Sequence, residues 1–148
     1  MDWIGIIVAG LVGTSAITML MYAGPMMGMP KMDIAQMLGS MVLPKGAAAF
    51  GLGMMMHFVN GVIFAGIYAL AWNALNLAPS WWTGLIFGGV HFGVAAMAMS
   101  LMPMLHKEVK AGNLPSPMAG GIKGVMGMLM GHLVYGVVVA LIYRGFVV

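Results

Sequence analysis

Residues 55–70 read MMHFVNGVIFAGIYAL, an apolar segment that contains one histidine, one asparagine and no charged residue. The segment lies inside a longer apolar stretch, residues 47–72, which exceeds the roughly 20 residues that a helix needs to cross the hydrocarbon core of a bilayer. Three further stretches share this length and character, at residues 3–24, 81–105 and 118–143. The sequence therefore predicts one transmembrane domain, residues 1–148, folded as an all-α integral membrane four-helix bundle.

The amino-acid composition is that of a membrane protein rather than of a soluble one. The chain is 62% hydrophobic and 6% charged, whereas soluble domains carry roughly 25% charged residues. The amino terminus carries Asp2 and lacks Lys and Arg, so we interpret residues 3–24 as a retained span rather than a cleaved signal peptide. The chain has no cysteine, which excludes disulfides, thiolate–metal sites and cysteine nucleophiles.

The basic residues predict how the chain is oriented in the membrane. If the four spans alternate in direction, five lysines fall on one face and Arg144 alone on the other. The five are Lys31, Lys45, Lys107, Lys110 and Lys123. Because short cytoplasmic loops carry the excess of Lys and Arg, we expect both termini on the non-cytoplasmic side of the cell inner (plasma) membrane. We call the lysine-rich face the inner face.

Tryptophan and methionine occupy opposite ends of the predicted spans. The tryptophans lie at the outer ends, where amphipathic rings favour the headgroup level. They are Trp3, Trp72, Trp81 and Trp82. All nineteen methionines after Met1 map to the inner half or the inner loops. Methionine is an adaptable packing residue, but its thioether also selects Cu(I), so a small metal-ion (copper) carrier is one functional alternative.

Two of the spans resemble each other in sequence. HFVNGVIFAGIY (57–68) and HLVYGVVVALIY (132–143) share the histidine, the glycine four residues on and the final Ile-Tyr, without a gap. A weaker match relates residues 9–20 to residues 88–99. We therefore expect two parallel two-helix repeats, because a hairpin returns the chain to its starting side. The repeat units would span about residues 1–75 and 80–148.

Glycines on the third and fourth spans form small-xxx-small patterns. They are Gly84, Gly88, Gly89, Gly93, Gly120, Gly124, Gly127 and Gly131. Such patterns let helix backbones approach closely in lipid, so we expect these glycines to mediate helix packing.

The loop between the first two spans has an amphipathic pattern. In MDIAQMLGSMVL (32–43), apolar Ile34, Met37 and Leu38 share one face and the polar side chains lie on the other. This pattern predicts a short helix lying in the membrane interface.

Three histidines are predicted to lie at one depth. His57, His91 and His132 each lie ten to fourteen residues into a span, which is near the bilayer midplane at the helical rise per residue. Polar side chains at this depth are costly and usually face the bundle interior or a functional path. These three are therefore the candidate cofactor-binding residues. His106, at the inner end of the third span, is interpreted as a solvated side chain.

Four residues are candidates for supporting these histidines. Gly61 and Gly136 lie four residues after the histidine of their span, so they share its helix face and leave room for another helix or a flat ligand. Asn60 and Tyr135 occupy equivalent positions in the two copies and could supply hydrogen bonds to the layer.

Several ligands would suit three histidines at one depth, and the sequence does not identify which metal or cofactor they bind. Haem b or another tetrapyrrole would take His57 and His132 as axial ligands, whereas chlorophyll-type pigments would use one histidine each. Without a ligand, the histidines would bond each other, Thr14, Asn60 or a backbone carbonyl and fasten the bundle. A divalent metal, a quinone or a proton path are the remaining alternatives.

The acidic residues argue against an enzyme. Asp2, Asp33 and Glu108 all lie at the edges of the predicted spans, which leaves no intramembrane acid-base pair or Ser-His-Asp arrangement. The leading interpretation is a small accessory or structural subunit of a larger membrane complex, respiratory or photosynthetic. Expected partners are the lipid bilayer and other membrane-protein subunits, or further copies of the chain. Nucleic acid is not expected, because the few basic residues are scattered.

Three segments carry a resemblance to a known family. They are GLVGTSAITMLMYAGPMMGMPKMDIAQMLGSM (10–41), HFVNGVIFAGIYAL (57–70) and GHLVYGVVVALIY (131–143). Through them the chain resembles a family of small four-span bacterial membrane proteins described as a domain of unknown function. The resemblance covers most of the chain and implies a four-helix membrane fold. It implies no activity, cofactor or catalytic residue.

Overall fold

The computed structural model of the chain describes residues 1–117 and 120–148. Its α-helices are α1 (Trp3–Ala23), α2 (Ile34–Gly39), α3 (Ala47–Ala74), α4 (Trp81–Leu105), α5 (Lys107–Lys110) and α6 (Gly121–Val147), and a short 3₁₀ helix, Gly24–Met27, follows α1. The part of the chain that is described contains helices and no strand. α1, α3, α4 and α6 are each long and apolar enough to cross a membrane, which confirms the predicted all-α fold with four spans. The predicted start of the fourth span, residues 118–119, lies outside the described residues.

Polar side chains cap the amino-terminal ends of two of the long helices, α1 and α4. Asp2 precedes α1, and its Oδ1 accepts a hydrogen bond from the backbone N–H of Gly5 at 2.5 Å. Ser80 precedes α4 and forms a capping box with Thr83. Such caps satisfy backbone N–H groups that have no partner within the helix. They also explain why α1 begins at Trp3 and α4 begins at Trp81, at the outer ends of the predicted spans.

The four long helices pack in the order α3, α1, α6, α4. α1 packs against both α3 and α6, and α6 packs against both α1 and α4. α3 and α4 follow each other in the chain but meet mainly through side chains, such as the rings of Tyr68 and Phe87. The helix backbones therefore approach closely on three sides of the bundle, and on the fourth side, between α3 and α4, the contact is made by side chains.

Glycine permits close packing within each hairpin. A methyl group at Gly10 of α1 would lie 2.6 Å from the Cα of Val62 on α3, and one at Gly61 would collide with the Thr14 hydroxyl. In the second hairpin, a methyl group at Gly84 of α4 would lie 2.5 Å from the carbonyl oxygen of Gly136 on α6. Contacts this short exclude any larger residue, so these glycines fix the distance between neighbouring helices.

The eight glycines named from the sequence lie in three different surroundings. Gly84 and Gly88 lie against α6, and Gly131 lies against Ile17 of α1. A methyl group at Gly120, Gly124 or Gly127 would instead meet Met29 or Pro30 of the first loop. At Gly89 and Gly93, no atom lies within 4 Å of the position that a methyl group would take. The small-xxx-small pattern alone therefore does not distinguish a packed glycine from an open one.

The short helix predicted in the first loop is α2, and it packs against the inner end of α3. A methyl group at Gly39 would collide with the carbonyl oxygen of Ala49, and one at Gly53 with that of Ala35. On the same face of the bundle, Lys45 Nζ donates a hydrogen bond of 2.7 Å to the carbonyl oxygen of Asn113. The two inner loops are therefore connected and form one layer below the spans.

His106 belongs to this inner layer, and the prediction that it is solvated was wrong. Its side chain is 2% exposed, because α2 and the start of α5 enclose it. Its Nε2 donates to the carbonyl oxygen of Met37 at 2.8 Å, and its Nδ1 accepts from the backbone N–H of Glu108 at 3.2 Å. The ring thus connects the first loop to the end of α4.

Candidate functional site

The inner half of the bundle contains a partly open cavity of about 360 Å³. Every long helix contributes to its wall, together with the first loop and α2. Along α4 the cavity extends from His91 to Met102, about 16 Å at the rise of an α-helix. It is therefore a long space that runs from the middle of the predicted membrane toward the inner face.

The midplane end of the cavity contains all three histidines predicted at that depth. His57 of α3, His91 of α4 and His132 of α6 each contribute to its wall. The rings of His91 and His132 are in edge-to-face contact, with centroids 4.6 Å apart and an interplanar angle of 82°. The structure therefore brings together three imidazoles that lie far apart in the sequence.

His91 is held by two aromatic side chains of α3. Its ring stacks on Phe64, with centroids 3.7 Å apart, and its Nδ1 lies 3.3 Å from the Tyr68 hydroxyl. Phe64 and Tyr68 are four residues apart and share a helix face. Phe64 was not among the residues predicted from the sequence. The spacing of the two rings was the available signal, but it does not indicate which neighbouring helix they face.

His132 is held by its own helix. Its Nδ1 donates to the backbone oxygen of Met128 at 2.7 Å. A carbonyl oxygen only accepts hydrogen bonds, so Nδ1 carries the proton and Nε2 of the neutral ring has a free lone pair.

Of the three histidine rings, that of His57 has the most incomplete hydrogen bonding. It lines the cavity, but its Nε2 is buried and has no hydrogen-bond partner within residues 1–117 and 120–148. A buried polar atom without a partner costs roughly 1–3 kcal/mol. Two such atoms are found in this part of the chain, and Trp72 Nε1 is the other.

The four predicted supporting residues differ in what they contact. Tyr135 donates its hydroxyl proton to the carbonyl oxygen of Gly61 at 2.5 Å, and so connects α6 to α3. The space beside Gly61 is filled by α1, and the space beside Gly136 is filled by α4. Another helix, rather than a flat ligand, therefore occupies the room that these glycines leave. Asn60 is exposed and lines the cavity.

Methionine forms much of the remaining cavity wall. Eight methionines line it, from α1, the first loop, α4 and α6: Met21, Met27, Met29, Met32, Met99, Met102, Met128 and Met130. Lys123 is the charged residue at the inner end. Across the described ranges, no group of three or more His, Asp or Glu side chains is arranged to hold a metal ion. Apart from its midplane end and Lys123, the wall is therefore soft and apolar.

The outer half of the bundle is filled by side chains. Tyr68, Trp72, Tyr135 and Tyr143 are buried there with small residues such as Ala65. This packed core closes the cavity on the side that faces away from the inner loops.

Comparisons with known proteins identify no relative of the chain. No family profile matches it, and neither the curated proteins nor the solved structures include a match. The resemblance to a family of four-span bacterial membrane proteins therefore stays a prediction, and the cavity has to be interpreted from its own chemistry.

Proposed function

We propose that this protein binds a small hydrophobic molecule in the cavity between its four membrane-spanning helices. The observation that carries the proposal is a long apolar cavity of about 360 Å³ with hydrogen-bonding groups concentrated at one end. Binding sites for small molecules typically measure about 300–1,000 Å³ and combine apolar walls with a few polar groups.

The lining supports an organic ligand more than a haem. His91 and His132 are in direct contact, which leaves no room for a macrocycle between them. The spaces beside Gly61 and Gly136, which a haem ligated by His57 and His132 would need, are taken by α1 and α4. Methionine-rich walls adapt to ligands of irregular shape because the side chain is unbranched and flexible.

Native mass spectrometry of the protein isolated from its own membranes tests the proposal. We expect a co-purified small molecule that is distinct from bulk phospholipid. Ala95→Phe should displace it, because Ala95 lines the cavity. Ala96→Phe is the matched control, since the adjacent residue points about 100° away around the helix and is not part of the wall.

Two results would contradict the proposal. One is a protein that carries no such molecule and binds no hydrophobic probe in lipid nanodiscs. The other is a Soret absorption band that both His57→Ala and His132→Ala abolish, which would indicate a tetrapyrrole.

A second candidate function is that of an accessory subunit in a larger membrane complex of the inner membrane, respiratory or photosynthetic. Its support is the exposed surface of α4, which is the least buried of the four long helices. At Gly89 and Gly93 on this helix, no atom lies within 4 Å of the position that a methyl group would take. Small residues on such a surface allow a helix of another subunit to approach closely. Migration of the chain with a stoichiometric complex in native gels is the expected result for this role, and solitary migration from native membranes would count against it.

A further inference from the structure

The hydrogen-bonding pattern of His132 defines what it can offer a ligand. Its Nδ1–H is used by the Met128 carbonyl, so Nε2 can only accept a hydrogen bond. No partner for this atom is found among the described residues, and it is not one of the fully buried atoms. His132 therefore presents a hydrogen-bond acceptor to the cavity that it lines.

His91 has the opposite character. The Tyr68 side chain is 4% exposed, and His91 Nδ1 is the hydrogen-bond partner that the described structure gives its hydroxyl. A buried hydroxyl proton needs an acceptor, so Tyr68 donates and Nδ1 of His91 accepts. The proton of the neutral His91 ring then lies on Nε2, which has no partner in the described residues. His91 therefore presents a donor.

The other polar side chains at this end do not change the pattern. Thr14 donates to the carbonyl oxygen of Gly10, and Tyr135 donates to that of Gly61, so both hydroxyl protons are already used. The Asn60 amide can donate and accept, and so it suits any polar group, whereas Nε2 of His57 is buried.

We infer that the bound molecule is a neutral amphiphile whose hydroxyl group, alcohol or phenol, lies within hydrogen-bond distance of Nε2 of both His91 and His132, while its apolar body extends along the methionine-lined cavity. A hydroxyl group both donates and accepts, so it satisfies His132 Nε2 and His91 Nε2–H together. A carbonyl or ether oxygen satisfies only the donor, and an ion is costly at this depth. This inference rests on the proposed function, because it specifies the ligand of the same cavity.

The test compares probes that differ only in their polar group. The intact protein in lipid nanodiscs is titrated with radiolabelled dodecanol in a scintillation proximity assay, with empty nanodiscs as the background. Dodecyl methyl ether, dodecane and dodecanoate compete as unlabelled probes. We expect dodecanol to bind about 10-fold more tightly than its methyl ether, since one buried hydrogen bond separates them.

The outcomes separate the inference from the proposed function. Equal affinity for dodecanol and dodecyl methyl ether would overturn the inference and leave a cavity that binds hydrophobic molecules. Preference for dodecanoate would also overturn it, and would point to Lys123 at the inner end as the polar contact. If none of the four probes binds, both the inference and the proposed function are wrong.

Two variants of His132 test the acceptor directly. His132→Asn retains a donor near the Met128 carbonyl but has no atom at the position of Nε2, so the preference for the alcohol should disappear. His132→Gln places an amide oxygen near that position and should retain most of the preference. If folded His132→Asn binds the alcohol and the ether with the same affinity ratio as the wild type, the inference is overturned. That result is expected if His132 has only a structural role.

Discussion

His106 Nε2 lies 2.8 Å from the backbone oxygen of Met37, and this contact joins the first loop to the end of α4. The same ring caps α5 through Nδ1 and lies 3.4 Å from Ser40 Oγ. Two neighbours of Met37, Ile34 and Leu38, form part of the cavity wall. His106 therefore helps to position a segment that forms part of the cavity wall.

Replacing His106 should destabilise the inner layer. His106→Ala removes a helix cap and the buried donor to Met37, so we expect a loss of about 2–4 kcal/mol in the free energy of unfolding. His106→Asn keeps a capping group and should lose less. Unfolding in mixed detergent micelles measures both, and the exposed neighbouring Lys107→Ala is the control. Equal stability of wild type and His106→Ala would show that this contact does not hold the loop.

His106 was wrongly predicted to be solvated, whereas the three histidines predicted at one depth do line the same cavity. The depth of a residue in a span follows from its distance along the helix, because the rise per residue is constant. The burial of His106 depends on where α2 folds back, and that is a tertiary contact without a sequence signal of its own. For the same reason, the sequence does not identify Phe64 and Tyr68 as the partners of His91.

The internal repeat stays a prediction, but the helix contacts favour a different alignment of its first half. In the structure, Gly10 approaches the helix that carries Gly61, and Gly84 approaches Gly136. Gly61 and Gly136 are 75 residues apart, and Gly10 and Gly84 are 74 apart. The sequence match of residues 9–20 used a separation of 79 instead. Apolar helices match at several registers, so contact positions discriminate between them better than residue identity does.

Adding one methyl group should change the free energy of unfolding differently at packed and at open glycines. Gly136→Ala would drive a methyl group into the carbonyl oxygen of Gly84, and we expect a loss of about 1–3 kcal/mol in unfolding free energy. Gly93→Ala meets no atom within 4 Å and should leave stability unchanged or raise it by up to about 1 kcal/mol, the gain in helix propensity. The same unfolding assay measures both variants. A similar effect of the two substitutions would mean that α4 and α6 are not in close contact.

The two midplane histidines that touch each other should carry their protons on different nitrogens. Hydrogen bonding places the proton of His132 on Nδ1 and that of His91 on Nε2. Solid-state ¹⁵N NMR of histidine-labelled protein in lipid distinguishes the two neutral tautomers by the chemical shifts of the ring nitrogens. Tyr68→Phe removes the donor to His91, so the His91 signals should change while those of His132 stay the same. Identical tautomers in the wild-type protein would contradict the hydrogen-bond assignment.

Methionine at the cavity wall should contribute shape and not metal ligation. Met99 and Met102 lie one turn apart on α4, and both line the cavity. Replacing both by leucine conserves apolar volume, so the affinity for a hydrophobic probe should change by less than about 10-fold. Leucine has no thioether, however, so any Cu(I) that Met99 and Met102 ligate would be lost. Probe affinity and the copper content after Cu(I) loading, measured on the wild type and the double variant, separate the two roles. Stoichiometric copper in the wild type that disappears in the double variant would favour the copper carrier over a site for hydrophobic molecules.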